Sequence, residues 1–421
     1  MEREARVRRK ARRGQAQDLA EDVVVRTHGA LVEGRERVID CVMEIGLSGV
    51  QEVLEYARTL VCGEPYARDG NRDLARWGYK AGKAYVGGRT VSLERPRIRD
   101  VGKGHEVDLP AWKRLQDPSE FDEAVYRRIV RGISCRDYEG ALEETRRAMG
   151  VSRNQVDRAF IRKATAKWKQ MQERDLSQIK AWAVVIDGIH IGGEAVGICA
   201  LAFTEDGQKE PLGFWEGSTE SSENVQALLA DLERRGFRMD ADTLFLIDGG
   251  GGLTRGLRNR FGKDVLIARC FLHKLRNLKK YLAPRYHAEA RHRLYRIRDA
   301  VAEAQALEEM RSMLAWLKGI NVSAHRSLEE AGSYLTTLQR LGVPELLRKH
   351  LYTTNAVESM FGSGPRKVSR NVRRWRNSPQ RQRYLAAGLH WAWTHFRKMD
   401  GCKAIRPWLA QRELAVKRET G

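Results

Sequence analysis

Two stretches decide the fold: AWAVVIDGIH at residues 181–190 and DTLFLIDGGGG at residues 242–252. Each is a short apolar, β-prone run that ends on an aspartate followed by glycine, Asp187 in the first and Asp248 in the second. The reading predicts two buried strands, with each aspartate closing its strand. A carboxylate there is hard to explain as core, because burying it unpaired costs several kcal/mol (~2–7) or forces it to neutralise. In α/β sheets the carboxyl ends of strands are where sites form. If the two strands are neighbours, the carboxylates meet at one edge and repel unless a cation lies between them. Mg²⁺ suits such a place, since it takes oxygen ligands from one or two carboxylates and keeps room for water and phosphate. The plain alternative is an Asp-Gly turn pair. One such pair is ordinary; two at corresponding strand ends favour a site.

Working outward, VGICALAF (196–203) and EPLGFWEG (210–217) read as two more strands, with a turn at Glu205-Asp206-Gly207. Glu223 to Arg235 reads as a helix, a second helix follows around Leu253 to Arg260, and VLIARC (265–270) is a fifth strand. Three strands, a helix, then alternating strand and helix predict an α/β protein with an RNase H-like mixed sheet. A helical region from about Pro284 to Leu347 precedes YTTNAVESMFG (352–362), which contains Glu358. Asn355 and Glu358 also have the spacing of a helix-capping pair, so the residues alone leave the role of Glu358 open. The four glycines 249–252 lack the Lys-Ser/Thr of a phosphate-binding loop and would let a DNA backbone approach closely.

Upstream, residues 1 to about 70 are weakly periodic and helical in character. Trp77, Gly78, Gly82, Tyr85, Gly87 and Val91 suggest a small β ribbon, closed by Pro96-Arg97-Ile98-Arg99. From Arg136 to Lys169 two helical patterns, with starts near Ser134 and Ser152, flank a tight turn at Gly150. That is helix-turn-helix spacing, with Arg153, Asn154, Arg158 and Arg162 facing a groove. An ordinary helical hairpin with solvated charges is the alternative.

Charge points the same way. Lys and Arg number 76 against 55 Asp and Glu, a net charge of +21, which suits a polyanion because each neutralised phosphate releases counterions. Nucleic acid is the first candidate and an anionic membrane surface the second. No apolar run approaches the ~18 residues that a membrane helix needs. The basic N-terminus is not followed by the apolar stretch of a secretory signal. The six cysteines form no CxxC pair, which argues against a disulfide framework. The expectation is a soluble protein of the cytoplasm, associated with the nucleoid.

IDG at Asp187, LIDG at Asp248, CFLHKLRN (270–277), YTTNAVES (352–359) and RNVRRWRN (370–377) together resemble the Mutator-like transposases of bacterial insertion sequences. The resemblance implies a DDE triad on an RNase H-like fold interrupted by an all-α insertion. Asp187, Asp248 and Glu358 would then be catalytic and metal-binding, holding two Mg²⁺ or Mn²⁺ ions. It further implies cleavage and strand transfer on double-stranded DNA, at terminal inverted repeats and at target DNA, by a homo-oligomer, expected as a dimer in the DNA complex. Cys270 and His273 match the family's C/D(2)H motif and would orient the catalytic groups or DNA; a zinc site with His287 and His292 is the weaker reading. In the run 366–383, Arg366, Lys367, Arg373, Arg374 and Arg376 would contact phosphate, with Trp375 among them. Trp316 is a candidate for stacking on a flipped base.

The expected layout is an N-terminal region at 1–115, a helix-turn-helix at 116–175, a first catalytic part at 176–283, an insertion at 284–347 and a completing segment at 348–421. The rivals are an RNase H-like nuclease without strand transfer and an inactive DNA-binding regulator.

A recognition helix reads base edges with its first residues and meets backbone with later ones. Asn154→Ala should therefore cost roughly 1–3 kcal/mol on a cognate end and little on scrambled DNA, whereas Arg162→Ala should weaken both equally. Titrations of the two variants on matched and scrambled duplexes test this; equal losses throughout would move end recognition elsewhere.

Overall fold

The computed structural model describes residues 45–67, 73–86, 89–135, 138, 152–192, 195–240 and 242–419. The basic N-terminus and most of the first helix of the expected helix-turn-helix lie outside these residues. The chain divides into two compact units. One comprises residues up to Ile129 together with Ile133–Phe160; the other comprises Val130–Gly132 and Ile161–Gly421.

In the first unit, β1 (Leu74–Val86) and β2 (Arg89–Asp100) form a long antiparallel hairpin, with β3 (Glu106–Val107) at its edge. Pro96 does not close the ribbon; it sits inside β2 opposite Tyr79, next to a register shift. A proline is tolerated there because an irregular ladder leaves its missing N–H without a bond to break. The hairpin buries Ala84, Val91, Leu93 and Ile98 against Leu54 of a helix within 45–62 and against Trp112. Gly82 permits this closure, since a Cβ there would lie 2.6 Å from the Trp112 ring.

Ser152 and Gln155 cap the next helix, Arg153–Glu173, reciprocally: the Ser152 N–H donates to Gln155 Oε1 at 2.9 Å and the Gln155 N–H donates to Ser152 Oγ at 3.4 Å. Its first turns bury Val156, Ala159 and Phe160, and the Phe160 ring stacks on Tyr126. Arg153, Asn154, Arg158 and Arg162 are exposed, with Arg153 4.0 Å from Asp157.

The second unit is built on a five-stranded sheet in the order β6-β5-β4-β7-β8. β4 (Ala181–His190) is central. It pairs antiparallel with β5 (Val196–Thr204), which pairs antiparallel with β6 (Lys209–Gly217). On its other side β4 runs parallel to β7 (Leu244–Ile247), and β7 runs parallel to β8 (Ile267–Arg269). The near-continuous apolar runs follow from burial on both faces. Because side chains alternate, Val184, Ile186, Phe245 and Ile247 pack beneath the helices Ser222–Arg234 and Gly251–Phe261. Ala183, Val185, Leu244 and Leu246 face the other layer, with Val357, Met360 and Phe361 of the helix Asn355–Ser363 and Leu385 and Leu389 of Ser378–Trp393. Each such side chain contributes ~1.5–3 kcal/mol on burial. Asp187 and Asp248 share the alternation of Val185 and Leu246, so both belong to the face covered by the Glu358 helix.

Between Asp248 and Glu358, the helices Phe271–Tyr281, His287–Asp299, Glu303–Lys318 and Val322–Ala331 form a core of their own around Leu278, Leu294, Ile297, Met313, Leu317 and Leu328. Trp316 is partly buried in it, edge-on to Tyr286 and beneath the Arg293 guanidinium. The ring is thus engaged as packing. The C-terminal part is not continuously helical, because 372–377 is an irregular loop between Pro365–Ser369 and Ser378–Trp393. No helix among the described residues is long and apolar enough to cross a membrane.

The Glu358 helix is fixed where its end crosses Ser378–Trp393. A Cβ on Gly388 would lie 2.4 Å from the Pro365 backbone nitrogen, and one on Gly364 would lie 2.2 Å from the Gly388 carbonyl. Backbone cannot yield as a flexible side chain does. Gly388→Ala should therefore cost about 2–3 kcal/mol and lower the thermal unfolding midpoint by several degrees. A midpoint equal to wild type would show that the crossing opens freely.

Candidate active site

The parallel register sets Ile186 of β4 opposite Ile247 of β7, so the next residues, Asp187 and Asp248, come side by side. Asp187 does not end its strand. β4 continues to His190 because its antiparallel ladder with β5 runs on to Val196, whereas β7 stops at Ile247. Asp187 is only 6% exposed, and its Oδ1 accepts the Gly188 N–H at 2.9 Å. Burial, then the charge of Asp248, push its carboxyl up to about 6. Asp248 Oδ1 accepts the N–H of Gly250 at 2.8 Å.

The turn after Asp248 is clamped from within the chain. Arg269, buried in β8, donates to the Gly249 carbonyl at 2.8 Å and to Glu330 Oε1 of the helical insertion at 2.7 Å. Gly249 has φ +96°, and a Cβ on it would lie 1.9 Å from the guanidinium. Lys274, also buried, donates to the Ser327 carbonyl at 2.6 Å and to Glu330 Oε2 at 3.3 Å. Burial, reinforced by Arg269, lowers its ammonium to about 8. Within this structure the glycines after Asp248 make room for protein atoms: Gly249 for Arg269, and Gly252 for the Glu220 carbonyl.

Glu358 lies in the first turn of Asn355–Ser363, a helix whose preceding cap residue, Thr354, makes no side-chain capping hydrogen bond. Glu358 does not complete a capping box. Its Oε1 accepts from Arg276 at 3.1 Å and lies 3.5 Å from His273 Nε2. Both partners come from Phe271–Tyr281, where His273 and Arg276 share a face one turn apart.

Behind them, Cys270 Sγ accepts the Thr354 N–H at 3.4 Å, and the Thr354 hydroxyl reaches Cys270 Sγ at 3.7 Å and His273 Nδ1 at 3.5 Å. Burial alone would raise the Cys270 thiol, but hydrogen bonds from His273 and Thr354 outweigh it and bring the thiol below its ordinary value. His273 rises to about 9, chiefly through its hydrogen bond to Cys270. Cys270 and His273 therefore join the strand that ends at Arg269 to the start of the Glu358 helix. His287 Nε2, by contrast, meets the Leu282 carbonyl at 2.9 Å.

Carboxylate oxygens are hard donors suited to Mg²⁺ or Mn²⁺. The buried, mutually repelling Asp187 and Asp248 fit a divalent cation, whose charge would cancel the cost of holding them together. In the present arrangement, no three His, Cys, Asp or Glu side chains among the described residues are grouped to hold one ion. Glu358 is turned to Arg276 and His273 instead.

Of the basic residues beyond it, Arg366, Arg373, Arg374 and Arg376 are exposed, and Lys367 Nζ lies 5.8 Å from the centre of the Trp391 ring. Trp375 anchors their loop. Its ring fills the space over Gly192, where a Cβ would come within 1.9 Å, and it meets Tyr384 edge-on.

Sequence reasoning missed Glu220, Thr354 and Arg269. Glu220 precedes a helix capped by Ser221, whose Oγ accepts the Asn224 N–H at 3.3 Å, and so reads as surface. Thr354 and Arg269 carry no pattern of their own.

A folded-state carboxyl that titrates above its ordinary 3.8 penalises the fold when ionised. For Asp187 the penalty is absent below about 4, grows as pH rises to about 6, and is complete above that. In chelator, Asp187→Asn should thus be more stable than wild type by about 1–3 kcal/mol at neutral pH, with the gap closing towards pH ~4. Thermal unfolding across that range is the measurement, and a gap independent of pH would remove the repulsion argument.

Residues 24–392 match the sequence profile described as Transposase, Mutator family. The transposase for insertion sequence element ISRM3 of Rhizobium meliloti (strain 1021) is 27% identical over 256 residues, covering 57% of this chain and 60% of that protein. The transposase for insertion sequence element IS905 of Lactococcus lactis subsp. lactis (strain IL1403) is 27% identical over 334 residues, covering 76% of this chain and 81% of that protein. The transposase for insertion sequence element IS256 in transposon Tn4001 of Staphylococcus aureus is 26% identical over 240 residues, covering 54% and 58%. The chain thus spans about 60% of the length of the Rhizobium relative. With the profile matching most of its length, the chain belongs to the Mutator family of transposases.

Proposed function

We propose that this protein is a DNA transposase of the DDE type, cleaving the ends of an insertion sequence and joining them to target DNA. The observation that carries the reading is the pairing of Asp187 and Asp248 on adjacent parallel strands, on the sheet face covered by the helix bearing Glu358. The strand order, with three antiparallel strands followed by two parallel ones, supports an RNase H-like catalytic core. The separate core of the helices between Phe271 and Ala331 supports an all-α insertion within it.

In this reading Asp187, Asp248 and Glu358 would hold two Mg²⁺ or Mn²⁺ ions, which would supply Lewis-acid activation of the attacking oxygen and charge neutralisation at the leaving oxygen. The protein's part is to fix the donors. The Arg269 clamp holds the turn after Asp248, and the Cys270, His273 and Thr354 contacts hold the start of the Glu358 helix. Arg276 is more than half exposed and placed to exchange Glu358 for a DNA phosphate. Arg366, Lys367, Arg373, Arg374 and Arg376 track the backbone. Arg153 and Asn154 read the terminal inverted repeats, with Arg158 and Arg162 on phosphate. The active species is a dimer on DNA, and the five segments are those expected from the sequence, with the helical insertion opening at Phe271 rather than at 284.

Asp187→Ala, Asp248→Ala and Glu358→Ala should each abolish Mg²⁺-dependent cleavage of end-containing DNA while leaving duplex binding within a few-fold of wild type. Cleavage mapping beside a binding titration tests this. Near-normal cleavage in any one variant would remove that residue from the site, and cleavage without joined product in wild type would favour a nuclease.

A further inference from the structure

One more acidic side chain reaches the place where Asp187 and Asp248 meet. Glu220 sits in the turn that leads from β6 into the helix Ser222–Arg234 and is half-buried. Three glycines make room for it. A Cβ on Gly188 would lie 1.9 Å from Glu220 Oε1, and one on Gly252 would lie 1.8 Å from the Glu220 carbonyl. A Cβ on Gly250 would lie 3.4 Å from Glu220 Oε2 and 3.3 Å from Asp248 Oδ1, so both carboxylates border the space that Gly250 leaves open.

The glycines belong to β4, to the turn after β7 and to the first turn of Gly251–Phe261, the same elements that position the two aspartates. Among the described residues, no hydrogen bond or salt bridge ties the Glu220 carboxylate to a basic side chain, whereas Glu358 is engaged by Arg276 and His273. A fold that spends a partly buried carboxylate beside two others, and clears three Cβ positions for it, is arranged for a cation.

We propose that Glu220 is a further carboxylate ligand of the divalent-metal site, drawing in with Asp187 and Asp248 when a cation enters between them. This rests on the reading of Asp187 and Asp248 as metal ligands. Glu220 gives the metal-loading step a third carboxylate drawn from the sheet side of the site, independent of the helix that carries Glu358.

The test is a Mn²⁺ titration of the full-length protein, freed of metal and without DNA, followed by the rise in its thermal unfolding midpoint. Wild type, Glu220→Gln and Asp248→Asn are compared. Asp248→Asn should lose the rise at concentrations that saturate wild type. Glu220→Gln should need at least tenfold more Mn²⁺ for the same rise, while unfolding no lower than wild type without metal, because a repelling charge has gone. If Asp248→Asn loses the rise and Glu220→Gln overlays wild type, Glu220 is not a ligand and the metal site stands without it. If Asp248→Asn also overlays wild type, the metal reading itself fails and Glu220 falls with it. Should Glu220→Gln not fold, Glu220→Asp, one methylene shorter, must show the same tenfold loss, and wild-type affinity there overturns the proposal.

Discussion

The second unit of the chain depends on one register. Because Ile186 lies opposite Ile247 in a parallel pair, two aspartates follow at the same level of neighbouring strands. Strands in a sheet are only ~4.8 Å apart, so the carboxylates have no way to avoid each other. Burial, and then the charge of Asp248, hold the Asp187 carboxyl above its ordinary range. A purely structural sheet would place a valine at one of these positions. Retaining both acids lowers stability, and in the proposed function that cost is met by a cation between them.

Much of the surrounding detail answers to that constraint. The Arg269 guanidinium secures the turn after Asp248 through a backbone carbonyl rather than through the carboxylate. His273, whose pKa its bond to Cys270 raises, lies beside Glu358 and contributes to the potential at the two aspartates. Thr354 ties the thiol and the imidazole to the start of the helix that carries Glu358. The family's Cys-x-x-His spacing thereby acquires a physical meaning here: on one turn of helix it places a thiol inward and an imidazole towards the carboxylates.

The helical insertion is coupled to the same centre through Glu330, which receives both Arg269 and Lys274. The two cations are buried while Glu330 is largely exposed, so the pair is anchored from the sheet side. A shift of the insertion would strain Arg269 first, and through Gly249 the turn after Asp248. This gives the insertion a mechanical connection to the site that packing of apolar side chains alone would not provide.

The sequence by itself determined the strands, because a run such as AVVI can be satisfied only by burial on both faces, and it marked Asp187 and Asp248 as charges where such runs end. It also settled the family, since the order of five short motifs is specific where none alone is. Tertiary structure decided the rest. That Asp187 lies within a strand, that Glu358 faces Arg276 and that Trp375 packs on Gly192 all depend on residues distant in the chain. Glu220 shows the limit most clearly. It looks like a solvated acid before a capped helix, and only the closure of β4, the turn after β7 and the following helix around it reveals a third carboxylate beside the pair. Local pattern reports what a segment must bury; it carries no information on which distant charges will share the space that burial creates.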